Sequence, residues 1–181
     1  MSYHSKLNNE QPESACGFPL LPIQQKDAYN ADVSTHDCVD EAIAMFRANI
    51  LFKNYKIGGA GDKIMVFLTA FIQKCLEQMF RFPDQERATR VCDMIIKDPQ
   101  ALDVGSDKFF LNKLGLLTPN ANGMEQKKLK DYLKKAMEEC AKRLLECLYR
   151  PNEGDLNRKY WIGLAKKPFL GHKFTEKQYQ M

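Results

Sequence analysis

The stretch DKIMVFLTAFIQKCLEQMFRF, residues 62–82, decides the fold of this chain. Its apolar residues recur at the i, i+3, i+4, i+7 spacing of one helix face. The members of that face are Ile64, Phe67, Leu68, Phe71, Ile72, Cys75, Leu76 and Met79. Met65, Val66 and Ala70 cover much of the other side. A helix that is apolar nearly all round lies in the middle of a bundle, so we predict that this helix is central and that the others surround it.

Further helical segments flank this stretch on both sides. Apolar periodicity and breaks at glycine and proline predict helices at about 37–54, 84–97, 124–149 and 155–167. The connection at 98–122 is predicted to be loop-like, and no stretch shows convincing strand alternation. The predicted fold class is therefore all-α, as a single compact bundle of about five to six helices.

The two ends of the chain differ from this helical domain, which we assign to residues 34–167. Residues 1–33 carry three prolines and little periodicity, which predicts an extended N-terminal arm. Within it, FPLLPI at 18–23 is too apolar for a free tail, so we expect it to lie on the domain or on a partner. Residues 168–181 are predicted to form a basic C-terminal tail.

Composition argues against several classes of function. The net charge of +4 comes from 27 basic and 23 acidic side chains, a balance that does not indicate a nucleic-acid binder. We interpret the lysines of KKLKDYLKK (127–135) as a solvated helix face rather than a nucleic-acid patch. The longest apolar run, at 64–72, is too short for a membrane span of about 18 residues, and we see no signal peptide, so we expect no membrane insertion.

No motif for catalysis or cofactor binding stands out. None of the six cysteines pairs in C-x-x-C spacing, and several fall on predicted apolar stripes, so we interpret them as buried reduced thiols. The three histidines lie far apart in sequence. GGAGDK (58–63) lacks the Gly-Lys-[Ser/Thr] ending and the preceding strand of a phosphate-binding loop. We therefore expect no enzyme activity, no metal, no cofactor and no small-molecule substrate.

Two places suggest contacts with another protein. In FRANILFKNY (46–55), neighbouring helical residues point about 100° apart, so Phe52 and Tyr55 fall on a second apolar stripe opposite the main one. The predicted helix is either wedged between two layers of its own fold or shared with a neighbour, and Phe52, Lys53 and Tyr55 become candidate interface residues. The second place is the basic end of the chain, where phenylalanines are interleaved with lysines. This composition suits an acidic protein surface, and the alternative is a solvated tail that only aids solubility. Its candidate residues are Lys166, Lys167 and Lys173.

Several stretches together resemble the family of subunit 3 of the actin-related protein 2/3 complex. The most specific is DCVDEAIAMFRANILFKNYKI at 37–57. Shorter matches run along essentially the whole chain: Tyr3-His4-Ser5, LLPI at 20–23, Phe-Leu-Asn at 110–112, an aromatic-Trp pair at 160–161 and a basic pair at 166–167. One departure is the loop at 102–109, which is usually rich in glycine and proline in the family and here reads LDVGSDKF.

The resemblance implies a non-catalytic, helical subunit of an assembly that nucleates actin filaments as branches on existing ones. The implied partners are the other subunits, especially an actin-related protein, together with the actin filament. The implied location is the cytoplasm and cytoskeleton, in the actin-rich cortex and cell projections. On the residues alone, a free-standing helical protein–protein adaptor remains the alternative.

Overall fold

A central helix organises the computed structural model, which describes residues 3–26, 36–79, 81, 84–150 and 154–171, with the backbone alone at 154–156. This helix, here α2, spans Ala60–Met79. Ile64, Leu68 and Ile72 of its main face are completely buried. Helices α1 (Cys38–Asn49), α3 (Gln85–Lys97), α5 (Gly123–Leu148) and α6 (Gly154–Ala165) all pack against it. The prediction of an all-α bundle around an apolar helix near residues 62–82 is confirmed.

The connection between α3 and α5 is not a plain loop. It contains a 3₁₀ helix at Pro99–Leu102 and the short helix α4 at Phe110–Lys113. Asn112 closes the turn before α4, because its side-chain amide donates to the carbonyl oxygens of Val104 and Ser106, at 2.9 Å each. Leu111 is fully buried, so the apolar part of this connection packs in the hydrophobic core.

Helix α1 ends earlier than the sequence predicts. The expected helix of 37–54 stops at Asn49, and Ile50 caps its C-terminus. The Asn49 side chain accepts a hydrogen bond from the Tyr3 amide and donates one to the Tyr3 carbonyl, both at 2.9 Å. Phe52 and Tyr55 therefore lie in the following loop, and the predicted second helical stripe through them is wrong.

The N-terminal arm packs on the bundle. It forms a 3₁₀ helix at Lys6–Asn9 and then an antiparallel hairpin of β1 (Ser14–Ala15) and β2 (Phe18–Pro19), a strand pair that alternation did not predict. The hairpin turn uses Gly17 at φ 71°, and a side chain there would meet the Thr118 hydroxyl at 2.4 Å. Phe18 is fully buried, so the apolar segment FPLLPI lies on the chain's own domain.

Candidate interaction surfaces

The loop after α1 carries two of the candidate interface residues outward. Leu51 is 56% exposed, Lys53 is exposed and Phe52 is half-buried. Phe52 is absent from the side chains that pack on the hydrophobic core, whereas Ile50 just before it is completely buried. Of the three adjacent apolar residues in FRANILFKNY, Ile50 therefore enters the core, whereas Leu51 and Phe52 do not.

Tyr55, the third candidate in this loop, is bonded within its own chain. Its hydroxyl lies 2.9 Å from the Tyr3 carbonyl oxygen and 3.0 Å from Oδ1 of Asp62. Its ring lies 5.1 Å from the ring of His4, measured between centroids. Burial and the neighbouring Asp62 carboxylate raise the pKa of the Tyr55 phenol, so this hydroxyl stays a hydrogen-bond donor. Tyr55 thus holds the loop against the arm.

Asp62, in the first turn of α2, is the centre of this attachment. The carboxylate is fully buried and accepts hydrogen bonds from His4 Nδ1 at 2.7 Å and from the Ser5 and Gly58 amides at 2.8 Å each. Burial acts to raise its pKa, but these hydrogen bonds outweigh that effect and hold the pKa of the Asp62 carboxyl below its usual value. The carboxylate therefore remains charged and fixes the arm to α2.

A second contact strengthens the same junction. Glu41 of α1 accepts hydrogen bonds from the Lys6 amide, at 3.0 Å, and from the Ser5 hydroxyl. The Asp62 amide in turn donates to the Asn8 side chain at 2.8 Å. The start of the arm therefore bridges α1 and α2, and it braces the loop that presents Leu51 and Phe52.

A buried arginine fixes the other end of the arm, and sequence reasoning missed its role. Arg143 of α5 is completely buried and forms ion pairs with Asp37 and Asp40 of the α1 N-terminus. Its guanidinium also donates to the Gln24 carbonyl in the arm. The i, i+4 spacing of Glu139 and Arg143 is typical of an ion pair on the surface of a helix. That pair exists, at 3.3 Å, but it lies inside the fold.

These charges are mutually stabilised. Burial acts to raise the pKa of Asp37, and the hydrogen bonds from Arg143 and from the backbone of Gln24 and Asp40 hold the pKa below its usual value. Asp37 also caps α1 by accepting from the amides of Val39, at 3.0 Å, and Asp40, at 3.1 Å. The Asp37 carboxylate thus caps α1 and also binds the arm and α5.

The backbone at the start of the basic C-terminal end is held by hydrogen bonds to α2. Lys166 and Lys167, just after α6, are exposed. Behind them, the Gln73 side chain of α2 donates to the carbonyl oxygens of Ala165, at 2.8 Å, and Lys167, at 2.6 Å. Phe169 is buried, with 1% exposure, and Lys173 lies outside the described residues.

The candidate residues in the loop after α1 lie apart from those at the basic end of the chain. Tyr55 is attached to α2 at Asp62, and Lys167 is attached at Gln73. These positions are separated by eleven residues, or about 16 Å of helix. The two sets of candidate residues therefore lie at separate places along α2.

Chemical features elsewhere are limited. None of the six cysteines, all of which lie among the described residues, is in a disulfide bond, and burial raises the pKa of the Cys38 thiol to about 12. Among the described residues, no three or more His, Cys, Asp or Glu side chains are grouped so as to hold a metal ion. Over the same part of the chain, no helix has the length and apolar character needed to cross a bilayer.

Comparison with known proteins gives a consistent similarity. Residues 1–174 match the family model described as P21-Arc, the ARP2/3 complex ARPC3 (21 kDa) subunit. Three similar proteins are each named actin-related protein 2/3 complex subunit 3. The protein of Arabidopsis thaliana is 34% identical over 175 residues, covering 94% of this chain and 97% of its own. That of Dictyostelium discoideum is 32% identical over 182 residues, covering 94% and 98%. That of Schizosaccharomyces pombe is 31% identical over 175 residues, covering 93% and 97%.

Proposed function

The chain belongs to the family of actin-related protein 2/3 complex subunit 3, and from that membership we propose that it supports actin filament nucleation and branch formation as a structural, non-catalytic subunit. The observation that carries the proposal is the family match over residues 1–174. Its partners are the other subunits of the complex. Its place of action is the cytoplasm and cytoskeleton, in the actin-rich cortex and cell projections.

The loop after α1 is our proposed contact with an actin-related subunit. An exposed leucine, a half-buried phenylalanine and a lysine follow one another at Leu51, Phe52 and Lys53. Single exposed apolar residues are common on protein surfaces, so exposure alone carries little weight. The stronger support is the bracing behind the loop, since a preformed apolar surface loses less conformational freedom when a partner covers it. In this proposal Tyr55 positions the loop rather than contacting the partner.

The basic end of the chain is our proposed contact with the actin filament. Lys166 and Lys167 are exposed, and the backbone of Lys167 is hydrogen-bonded to α2. Lys173 follows six residues later in sequence. Clustered lysines raise the rate of association with an acidic surface more than they raise the final affinity. The contribution we propose for these lysines is therefore to the docking of the complex on the filament.

Reconstitution tests the function as a whole. The remaining subunits of the complex are purified without this chain, the chain is added back, and branch density is counted on fluorescent actin filaments. We expect the chain to enter the complex stoichiometrically and to raise branch density. A chain that stays unbound and leaves branch density unchanged would contradict the proposal.

A further inference from the structure

A pocket of about 440 Å³ lies between α1, the C-terminal end of α5 and α6, and we name it the Trp161 pocket. Two of its lining side chains are buried and form its floor: Ile43 of α1 and Trp161 of α6, with 1% and 4% exposure. Arg47 is exposed, and Arg150 and Asn157 are half-buried. The described part of the lining includes no aspartate or glutamate. The pocket therefore combines an apolar floor with an excess of positive charge.

Arg47 is held by aromatic rings. Its guanidinium carbon lies 5.5 Å from the centroid of the Trp161 ring. That ring stacks in turn on Phe46, with 5.5 Å between centroids and 4° between ring planes. A guanidinium is attracted to an aromatic face, and its planar shape lets it stack on a ring while its N–H edge stays available. Arg47 is thus partly oriented before any anion binds, which lowers the conformational cost of binding.

Arg150 and Asn157 add further hydrogen-bond donors to the same pocket. Arg150 follows the last residue of α5, Leu148, by two positions, and Asn157 lies in the first turn of α6. An arginine carries five N–H donors, so contacts within the chain leave others for a ligand, and the asparagine amide carries two. Three donor side chains from three different parts of the fold therefore line one pocket.

We propose that the Trp161 pocket binds a phosphorylated serine or threonine side chain of a protein partner. A phosphate monoester carries a charge of about −1.5 to −2 at neutral pH and has three terminal acceptor oxygens. Two guanidinium groups and one amide match that charge and that number of oxygens, and arginine binds phosphate through paired N–H···O bonds. A carboxylate has one charge and two oxygens, so it satisfies fewer of these donors.

The apolar floor favours a protein segment over a lipid headgroup. Ile43 and Trp161 offer contacts to the carbon atoms of a phosphorylated side chain and to the residues beside it. The inositol ring of a phosphorylated lipid headgroup carries an oxygen on every carbon, so it gains less from such a floor. The volume of about 440 Å³ lies within the roughly 300–1,000 Å³ of ordinary binding pockets.

The pocket is distinct from both surfaces proposed for assembly. It uses none of Phe52, Lys53, Lys166 and Lys167. Its contact forms only after the partner has been phosphorylated, so it is a regulated contact, unlike those that hold a subunit in a complex. A result against the pocket therefore leaves the proposed subunit function untouched.

Short peptides test the proposal with the full-length chain. The probe is a fluorescein-labelled peptide with phosphoserine between alanine and glycine residues, and its matched controls carry serine or glutamate in place of phosphoserine. Fluorescence anisotropy measures the affinity at low and at physiological salt. We expect saturable binding of the phosphopeptide, at least about tenfold tighter than that of the glutamate peptide and weakened by salt.

Tryptophan fluorescence locates the binding. Trp161 is the only tryptophan of the chain and lines the pocket, so its emission reports on this site alone. Addition of unlabelled phosphopeptide should shift that emission with the same concentration dependence as the anisotropy. Phosphopeptide binding that leaves the emission unchanged would place the ligand elsewhere and overturn the proposal.

Variants identify the donors. Arg47→Gln and Arg150→Gln each remove one guanidinium from the pocket, and each should lower the affinity by about tenfold or more. Arg47→Lys keeps the charge but not the planar fork, so its affinity should lie between those of wild type and Arg47→Gln. Arg87→Gln removes an exposed guanidinium outside the pocket and should bind as wild type. Circular dichroism checks that each variant is folded, and Arg47 is exposed, so its replacement should leave the fold intact.

Vesicles distinguish a protein partner from a membrane. The chain and its Arg47→Gln variant are sedimented with phosphatidylcholine vesicles that contain phosphatidylinositol 4,5-bisphosphate. We expect the two proteins to sediment to the same small extent. Vesicle binding that is lost in Arg47→Gln, without binding of the phosphopeptide, would assign the pocket to a lipid headgroup and overturn the proposal.

Two further results would overturn the proposal. The first is the absence of saturable phosphopeptide binding, or equal binding of the phosphoserine and serine peptides, since the phosphate would then not be recognised. The second is equal affinity of wild type, Arg47→Gln and Arg150→Gln for the phosphopeptide. The two arginines would then only complement the negative ends of the helix dipoles of α1 and α5.

Discussion

Arg143 and Asp37 form a buried two-point ion pair, with Nη1 2.6 Å from Oδ1 and Nη2 3.0 Å from Oδ2. Arg143 lies on α5, and Asp37 caps the N-terminus of α1. The same guanidinium reaches the arm through the Gln24 carbonyl. This single contact therefore joins two helices and the arm, and its removal affects all three.

Arg143→Ala should destabilise the chain by about 3–5 kcal/mol, because Asp37 would remain buried without its cation and Asp40 would keep only its ion pair with Lys26. Urea unfolding followed by circular dichroism measures the change. Lys135→Ala is the matched control, since it removes an exposed cation from the same helix and should shift stability by less than about 0.5 kcal/mol. Equal unfolding midpoints for Arg143→Ala and wild type would contradict the structural role of the ion pair.

Acid should lower the free energy of unfolding of the chain through protonation of Asp62 and Asp37. The folded pKa of each carboxyl is lowered from the usual 3.8, so each stabilises the fold fully above that value. This stabilisation is lost as the pH falls from about 3.8 through the lower folded pKa, because protons then bind the unfolded chain more readily. Unfolding free energies measured by urea titration at several acidic pH values should decrease in that window.

Asp62→Asn distinguishes the contribution of Asp62, which holds the arm, from that of Asp37. Its amide has roughly the same shape but no titrating charge, so the variant should lose stability less steeply below pH 3.8 than wild type. Limited proteolysis within residues 3–26 should also be faster in this variant, because the bonds to His4 and Ser5 are weakened. Identical acid slopes in the two proteins would show that Asp62 does not carry the effect.

The sequence predicts those parts of the fold that depend on local pattern. The apolar spacing of residues 62–82 identified the central helix, which is observed at Ala60–Met79. The end of α1 was not predictable in this way, because Asn49 is engaged by Tyr3, forty-six residues earlier. The structural role of Arg143 was not predictable for a similar reason: Glu139 at i−4 is a local partner, whereas Asp37 is 106 residues away. Long-range polar contacts leave no periodic signal.

The candidate contact residues were predictable only in part. An unbalanced run of lysines near Lys166 is visible in the sequence; Lys166 and Lys167 are exposed, and their contact with a partner stays a prediction. The placement of Phe52 depended on where α1 ends, so a helical pattern assigned it to the wrong kind of element.

Phe52→Asp should leave the isolated chain folded and block its entry into the complex. The side chain is half-buried and lies outside the core cluster, so a charge there remains solvated in the free chain but is desolvated by a covering partner. Circular dichroism monitors the fold, and co-purification with the other subunits monitors entry.

Tyr55→Phe is the matched control in the same loop. It removes the hydroxyl bonds to Tyr3 and Asp62, so we expect a loss of about 1 kcal/mol in stability with entry retained. A folded Phe52→Asp chain that enters the complex as efficiently as wild type would exclude this loop as the contact. An unfolded Phe52→Asp chain would show that Phe52 is needed for the fold itself.

Replacing Lys166, Lys167 and Lys173 together with Glu should slow the docking of the complex on filaments. Exposed charges act mainly on the association rate and are screened over about 8 Å at physiological salt, so the effect should shrink as salt is raised. Branch density measured at two ionic strengths tests this, with Lys135→Glu as a charge control on α5. Equal branch density for the triple variant and wild type at low salt would leave these lysines without a role in docking.

Native size-exclusion chromatography of a cell extract, followed by mass spectrometry of the fractions, tests the central claim most directly. As a subunit of the actin-related protein 2/3 complex, the chain should elute at high molecular mass together with the actin-related proteins, in a fixed ratio to them. Elution as a free species of 20.9 kDa, separate from the actin-related proteins, would contradict the account and favour a free-standing adaptor.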